Sequence, residues 1–439
     1  MKPPEGRLVA LVDVNSFFCS CERLFRPDLA GLPVVVLSNN DGCVVARSAE
    51  AKSLGIPMGQ PWFQLRDEAR RKHWPVIAFS SNYTLYGDLS RRVMSLLATY
   101  VAPDDQEVYS IDESFLNFTH HRLPNITATG HDIRNQVLRW TGLPVCVGFG
   151  ETKTQSKLAN HIAKKQSKFG GVCDLTSMTE AELDGLLATV EVRDVWGIGR
   201  KLAEALIRGG VTTAAQLRRC DPKRIRERFS VVVERTVSEL QGVSCIAWET
   251  EPPAKQQIIS SRSFGGPLYT SQDLAEPIRM HAGRAAEKLR QQNSVAARVG
   301  VWLETNRFRP QDPQYAPMRW INMPDSTDDT ALITTWAMAV LQSVYKEGFR
   351  YVKAGVMLDD IRPRGMGVMQ GSLFDTSPPE RNLKRERLMG VLDKANSKWG
   401  RGTMGIGSAG VKGDRDWTMQ RGMLSPCYTT DWNQLREVT

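Results

Sequence analysis

Leu8-Val9-Ala10-Leu11-Val12-Asp13-Val14-Asn15 is an apolar run that reaches a carboxylate near its end. That is the pattern of a strand buried on both faces, with Asp13 at its C-terminal end. Further along, residues 32–37 and 43–46 read as short strands separated by Ser38-Asn39-Asn40-Asp41-Gly42, whose Asp-Gly pair is expected to supply the positive φ of a tight hairpin. Residues 108–115 and 145–149 read as further core strands, with helices over 83–100 and about 132–141 between them, so this part is a mixed α/β layer. Over 153–168 the period turns helical. Lys153, Lys157, His161, Lys164 and Lys168 recur at spacings of three or four on one face while Leu158 and Ile162 mark another, which predicts a side that is cationic throughout. Residues 173–243 read as short helices, and Pro252-Pro253 marks a linker. From residue 256 the order is strand (257–264), helix (272–292), strand (296–304), strand (318–323), helix (327–345), strand (351–358), a βαββαβ unit. A Gly/Pro-bearing loop over 365–379 leads into a basic tail.

The chain has 439 residues, long enough for about three domains of ~150 residues with separate cores. With 41% hydrophobic and 24% charged residues, the disordered, collagenous and coiled-coil classes are excluded. No apolar run reaches the ~18 residues of a membrane span, and the N-terminal one is too short for a signal peptide, so the expected location is the cytosol. Eight scattered cysteines without a CxxC pair suggest neither a zinc site nor a disulfide framework, and read as reduced, mostly packed thiols. Fifty-seven Lys and Arg against 48 Asp and Glu leave a net charge of +9, suited to a polyphosphate partner. Residues 361–439 hold 13 basic and 8 acidic side chains, 13 − 8 = +5, so about half of the excess lies in the last fifth. That tail reads as a contact surface or a basic arm.

Chemistry gathers at carboxylates: Asp13, and the adjacent pair in Tyr109-Ser110-Ile111-Asp112-Glu113-Ser114. Hard divalent cations such as Mg²⁺ take carboxylate oxygens and share their remaining positions with phosphates and water. Two ions held by three acids on neighbouring strands suit an in-line phosphoryl displacement. In a regular strand Asp112 and Glu113 would face opposite ways, so joint coordination requires a bend. By spacing alone the same acids are equally ordinary polar residues at strand mouths.

The series Asp13-Val14-Asn15-Ser16-Phe17-Phe18, Ser110-Ile111-Asp112-Glu113-Ser114, Gly148-Phe149-Gly150-Glu151-Thr152-Lys153-Thr154-Gln155-Ser156-Lys157-Leu158-Ala159 and Val195-Trp196-Gly197-Ile198-Gly199 resembles the successive motifs of Y-family translesion DNA polymerases. Within that family it is similar to the UmuC branch, the catalytic subunits of bacterial DNA polymerase V. The likeness covers nearly the whole chain, including Ser38-Asn39-Asn40-Asp41-Gly42-Cys43 and Met423-Leu424-Ser425-Pro426.

The resemblance implies an α+β multidomain right hand: palm (1–20 and 83–172), small fingers (21–82), helical thumb with helix-hairpin-helix (173–243), βαββαβ little finger (256–360) and C-terminal tail (361–439). It implies error-prone, template-directed addition of deoxynucleotides to a primer 3′-hydroxyl opposite damaged DNA, in an SOS-type response. Asp13, Asp112 and Glu113, with the Val14 carbonyl, match the ligands of two Mg²⁺ ions. Phe18 matches the steric gate, where a ring would clash with a ribose 2′-hydroxyl; by residue type alone, Phe17 and Phe18 are equally core residues. Lys157 matches the lysine that meets the triphosphate. Lys153, Lys164, Lys165 and Lys168 read as solvated or DNA-backbone charges. Many members carry Tyr-x-x-Arg where this chain has Ala49-Glu50-Ala51-Lys52, so Lys52 stands in for the arginine without the tyrosine hydroxyl, and Arg47 is a nearby candidate. Gly197, Gly199 and Lys201 match a hairpin that meets the DNA backbone. Gln370, Leu373 and Phe374, in Gln370-Gly371-Ser372-Leu373-Phe374-Asp375, resemble a sliding-clamp-binding peptide. The implied partners are primer-template DNA, deoxynucleoside triphosphates, a processed UmuD dimer, RecA and the sliding clamp, with no membrane. Two rivals remain at this point: a nucleotidyl cyclase, which has no use for a thumb hairpin or basic little finger, and a polymerase-derived DNA-binding scaffold, against which the intact acids, Phe18 and Lys157 argue.

Overall fold

The computed structural model describes residues 7–251, 253–364, 379–400, 403–405 and 419–436. In chain order the first elements are β1 (Val9–Val14), α1 (Phe17–Leu24), β2 (Val34–Leu37), β3 (Val44–Arg47), α2 (Ala49–Ser53), α3 (Trp62–Lys72), β4 (Ile77–Ser80) and α4 (Tyr83–Leu97). They continue with β5 (Gln106–Val108), β6 (Glu113–Asn117), α5 (Ile126–Thr141), β7 (Val145–Gly150), α6 (Lys153–Lys165) and β8 (Val172–Asp174). Five short helices follow: α7 (Glu180–Leu187), α8 (Arg200–Arg208), α9 (Ala214–Arg218), α10 (Pro222–Arg228) and α11 (Val231–Leu240). The last elements are β9 (Ile258–Leu268), α12 (Ser271–Gln291), β10 (Ser294–Thr305), β11 (Met318–Thr327), α13 (Thr330–Val344), β12 (Tyr351–Pro363) and α14 (Pro379–Trp399). These form two compact units, one of residues up to 38, 42–252 and 423 onward, the other of 39–41 and 253–422.

In the first unit a five-stranded sheet runs β5-β6-β1-β7-β8, with β1 antiparallel to both neighbours. The central place of β1 accounts for its composition. Ala10, Val12 and Val14 enter the large core shared with α1, α4 and α5, while Val9 and Leu11 pack on Phe115 from the other side. A three-stranded sheet, β3-β2-β4, has its own small core of Val35, Leu37, Val44, Ala51, Ile56 and Leu65. In the second unit β9-α12-β10-β11-α13-β12 folds as a four-stranded antiparallel sheet, order β11-β10-β12-β9, with α12 and α13 over its apolar face.

Three local expectations are corrected. Between β2 and β3 the Asp-Gly pair does supply a positive φ, but at Asp41 (φ 49°), joined by Asn40 (φ 58°), and not at Gly42, which is right-handed at φ −75°. Asn and Asp tolerate that region because their short polar side chains bond locally. The run 108–115 is not one strand. It is the hairpin β5–β6, turned over 109–112, where the N–H groups of Tyr109 and Ser110 both donate to the Glu113 carbonyl at 3.0 and 3.1 Å. The helix of the lysine series ends at Lys165, so Lys168 lies beyond it on a short 3₁₀ turn.

Candidate active site

The three acids reach one place through strand pairing. Asp13 on β1 lies directly opposite Glu113, the first residue of β6. Asp112 precedes Glu113 in the turn, and its carbonyl accepts from the Val14 N–H at 3.0 Å. The bend that joint coordination requires is therefore present. Ser110 holds it: its hydroxyl donates to Asp112 Oδ1 at 2.5 Å and accepts from the Asp112 N–H at 3.2 Å. Asp13 is mostly buried. Burial, helped by the like charges of Glu113 and Asp112, raises its carboxyl to about 6 despite the opposing Lys164 ammonium.

Helix α6 brings two ammonium groups to these acids. It lies so close to β7 that a Cβ on Gly148 would stand 2.1 Å from the Asn160 nitrogen, which explains the glycine there. Asn160 Nδ2 donates to the Cys146 carbonyl at 2.7 Å and Ser156 Oγ to the Val9 carbonyl at 2.7 Å, fixing the helix on the sheet. One turn in, Lys157 Nζ forks across both Glu113 oxygens at 3.0 and 3.1 Å. The same ammonium lies 4.6 Å from the Tyr109 ring centre and 5.1 Å from that of Trp196. Two turns further, Lys164 Nζ stands 2.5 Å from Asp13 Oδ1. The cationic face expected for α6 is thus neutralised on the protein side. Lys164 is an acid partner rather than a solvated charge, Lys165 pairs with Asp194 at 3.0 Å, and Lys153 is buried against Glu107 at 2.5 Å and the Ala247 carbonyl at 2.6 Å. The i, i+7 spacing from Lys157 to Lys164 puts both on one face of α6 but does not say what that face meets.

With those lysines in place, no three Asp, Glu, His or Cys side chains among the described residues stand close enough to ligate one ion. The donor set still fits a hard divalent cation: three carboxylates at one strand end, one with its ionisation opposed by its fellows, balanced here by two ammonium groups.

On α2, Lys52 Nζ donates to Ser16 Oγ at 3.1 Å. Burial is the largest cause that lowers its pKa, and the neighbouring Arg47 and Lys164 charges add to it. Arg47 Nη1 donates to the Ile56 carbonyl, while its buried Nε has no partner.

Ser16, left-handed at φ 47°, turns the chain from β1 into α1. Phe17 then enters the core, and Phe18 is half-buried. Phe18 stacks on the fully buried Tyr86 ring at 4.6 Å and 17°, with Tyr83 edge-on at 6.2 Å. Sequence reasoning missed both tyrosines. Their signal is the aromatic pair at i, i+3 on the first turn of α4.

Gly197 is left-handed at φ 88°, and Gly199 is the N-cap of α8, whose first turn has no side-chain cap. Gly199 and Lys201 are both exposed there. Gln370, Leu373 and Phe374 lie outside the described residues.

Family models described as the impB/mucB/samB family and as its C-terminal domain match residues 12–161 and 255–373. A third, a domain of unknown function (DUF4113), matches residues 386–438. Protein ImpB of Salmonella typhimurium is 44% identical over 431 residues, 98% of this chain and 99% of that one. Protein UmuC of Salmonella typhimurium strain LT2 is 44% identical over 433 residues, 98% of this chain and 100% of that one. Among solved structures, a Y-family DNA polymerase chimera, Dbh-Dpo4(243-245)-Dbh, superposes with a TM-score of 0.62 over 81% of this chain and 100% of its own, at 20% identity.

Proposed function

The chain belongs to the impB/mucB/samB family, and from that premise we propose how its residues divide the work of synthesis. It is a UmuC-like, Y-family, error-prone translesion DNA polymerase that takes part in mutagenesis, with DNA and nucleotides as substrates and a requirement for divalent metal. In the proposal, Asp13, Asp112, Glu113 and the Val14 carbonyl hold two Mg²⁺ ions. The observation that carries it is the register that puts Asp13 opposite Glu113, with Asp112 in the adjoining turn. When bound, the ions lower the cost of charge on the primer 3′-oxygen and on the leaving pyrophosphate. Lys157 and Lys164, which neutralise the acids in this structure, are then free to turn toward phosphate oxygens. Lys52 and Arg47 face the triphosphate from the fingers side, and the cluster of cationic groups formed by Lys52, Arg47 and Lys164 supports this. Phe18, held face-on by Tyr86, excludes a ribose 2′-hydroxyl. The uncapped first turn of α8, with Gly197, Gly199 and Lys201, meets the DNA backbone.

The domain reading is likewise a proposal. The five-stranded sheet supports a palm over 1–20 and 83–172, the small sheet fingers over 21–82, the helices α7–α11 a thumb over 173–243, and the βαββαβ unit a little finger over 256–360. A processed UmuD dimer, RecA and the sliding clamp are the proposed partners, in an SOS-type response in the cytoplasm. Among the described residues no helix is long and apolar enough to cross a membrane.

Primer extension tests the metal assignment. Asp112→Asn and Glu113→Gln should each abolish extension while leaving primer-template affinity within about threefold, because metal ligands act mainly on the transition state. More than a few per cent of wild-type extension in both variants would overturn it.

A further inference from the structure

Glu22 lies one helical turn after Phe18 on α1 and is 1% exposed. Its Oε1 accepts two hydrogen bonds, from the Tyr86 hydroxyl at 2.6 Å and the Ser425 hydroxyl at 3.0 Å, while its Oε2 is buried without a partner. Tyr86 therefore engages two α1 residues four apart: its ring lies on Phe18 and its hydroxyl on Glu22. Ser425 arrives from the far end of the sequence on a strap over 423–428. The Ser80 N–H donates to the Met423 carbonyl at 2.9 Å, and the Met423 N–H to Ser80 Oγ at 3.0 Å. Asn82, which caps α4, sends its amide to the Ser425 carbonyl at 3.0 Å, the Ser425 hydroxyl at 3.1 Å and the Pro426 carbonyl at 3.2 Å. Tyr428 stacks on Phe25 at 4.5 Å. The strap is thus tied to both ends of the aromatic stack's support, to α4 through Asn82 and to α1 through Glu22.

A buried carboxyl with an orphaned oxygen is a poor way to gain stability, since an apolar trio of the same volume costs no desolvation. What the trio of Glu22, Tyr86 and Ser425 adds is direction. The Tyr86 ring has one placement that satisfies its hydroxyl, and Phe18 lies flat on that ring. We infer that Ser425, Glu22 and Tyr86 are positioning residues for the sugar gate, so that the C-terminal strap sets discrimination between deoxyribo- and ribonucleotides by fixing the Phe18 ring through Glu22 and Tyr86. The inference rests on the reading of Phe18 as the gate.

Single-nucleotide insertion by the full-length chain, with matched deoxyribo- and ribonucleoside triphosphates, tests it. The readout is the ratio of the two kcat/KM values, in which active fraction and overall stability cancel. Phe18→Ala should lower this ratio by about 100-fold or more. Tyr86→Phe and Ser425→Ala should each lower it about 3- to 10-fold, mainly through KM for the ribonucleotide, and Ser425→Thr, which keeps the hydroxyl, should restore it. In the Phe18→Ala background, Tyr86→Phe should add nothing, because the two changes act through one ring. A merely structural role would slow both insertions together and leave the ratio unchanged in Tyr86→Phe and Ser425→Ala. That result, alongside a lowered ratio in Phe18→Ala, would overturn the inference alone; an unchanged ratio in Phe18→Ala would overturn the gate reading and the inference with it.

Discussion

Glu22 and Asp13 are both carboxyls whose pKa is raised first of all by burial, and they differ in the groups around them. Asp13 is raised to about 6 by burial and by two fellow acids, with an ammonium alongside that opposes the rise. Glu22 is raised to about 7 by burial, which outweighs the hydrogen bonds from Tyr86 and Ser425 that favour its charge. In the unfolded chain Glu22 titrates at its ordinary 4.5. Between these values the folded protein keeps a proton that the unfolded chain has released. Its contribution is therefore full below about pH 4.5, declines as pH rises, and is gone above about pH 7. The difference in pKa corresponds to about 3 kcal/mol. Glu22→Gln, neutral at every pH, should remove this slope and gain on the wild type by an amount of that order between pH 5 and pH 8. Urea denaturation of both proteins at the two pH values measures it, since all other titrating groups contribute equally to each. Equal pH slopes would show that Glu22 is already ionised in the folded protein at pH 5.

Helix α6 and strand β7 show how one backbone contact carries a whole site. A Cβ on Gly148 would meet the Asn160 nitrogen at 2.1 Å and the Ser156 carbonyl oxygen at 2.4 Å, both backbone atoms that cannot rotate away. Gly148→Ala must therefore lift α6, and Lys157 and Lys164 with it. Overpacking of this kind costs about 1–3 kcal/mol, and extension should fall further than the lost stability explains. Gly87→Ala on α4, where nothing lies within 4 Å of the new Cβ, is the control and should be neutral or slightly stabilising. Thermal melts and primer extension on the two variants separate local crowding from a general intolerance of alanine. At this scale the sequence was most legible where periodicity was long. The βαββαβ order emerged because α12 carries a stripe, Leu274, Ile278, Ala282, Ala285 and Leu289, that is buried throughout. The hairpin β5–β6 was read as one strand because Val108, Tyr109 and Ile111 keep an apolar pattern through a turn that has neither Gly nor Pro. All three are exposed, so the pattern there does not report burial. The acids themselves were legible as strand-end carboxylates. Their ammonium partners were not, because a lysine on a helix face looks the same whether it meets solvent or a carboxylate on a neighbouring sheet. Glu22, Tyr86 and Ser425 meet across some 400 residues of chain, a distance at which no spacing argument operates.

For the molecule as a whole, a net charge of +9 makes the DNA backbone an expected share of the affinity. Charge attraction of that kind weakens steeply with salt and does not select a primer terminus. A tether to a clamp encircling the duplex removes this weakness by raising the local concentration of the polymerase, without any change in its active site. The stretch Gln370-Gly371-Ser372-Leu373-Phe374-Asp375 falls between β12, which ends at Pro363, and α14, which starts at Pro379. In the proposed function this stretch is the clamp-binding peptide, with Leu373 and Phe374 as its apolar anchors. Leu373→Ala together with Phe374→Ala should therefore abolish clamp binding, since two apolar anchors supply most of the affinity of such a peptide. Extension of short primers without clamp should stay at the wild-type rate, and the loss should appear only as shorter products on clamp-loaded templates at about 150 mM salt, where electrostatic attraction is screened. A clamp pull-down and a processivity assay on the same preparation give both readings, and unchanged clamp affinity in the double variant would reduce residues 370–375 to a connection between β12 and α14.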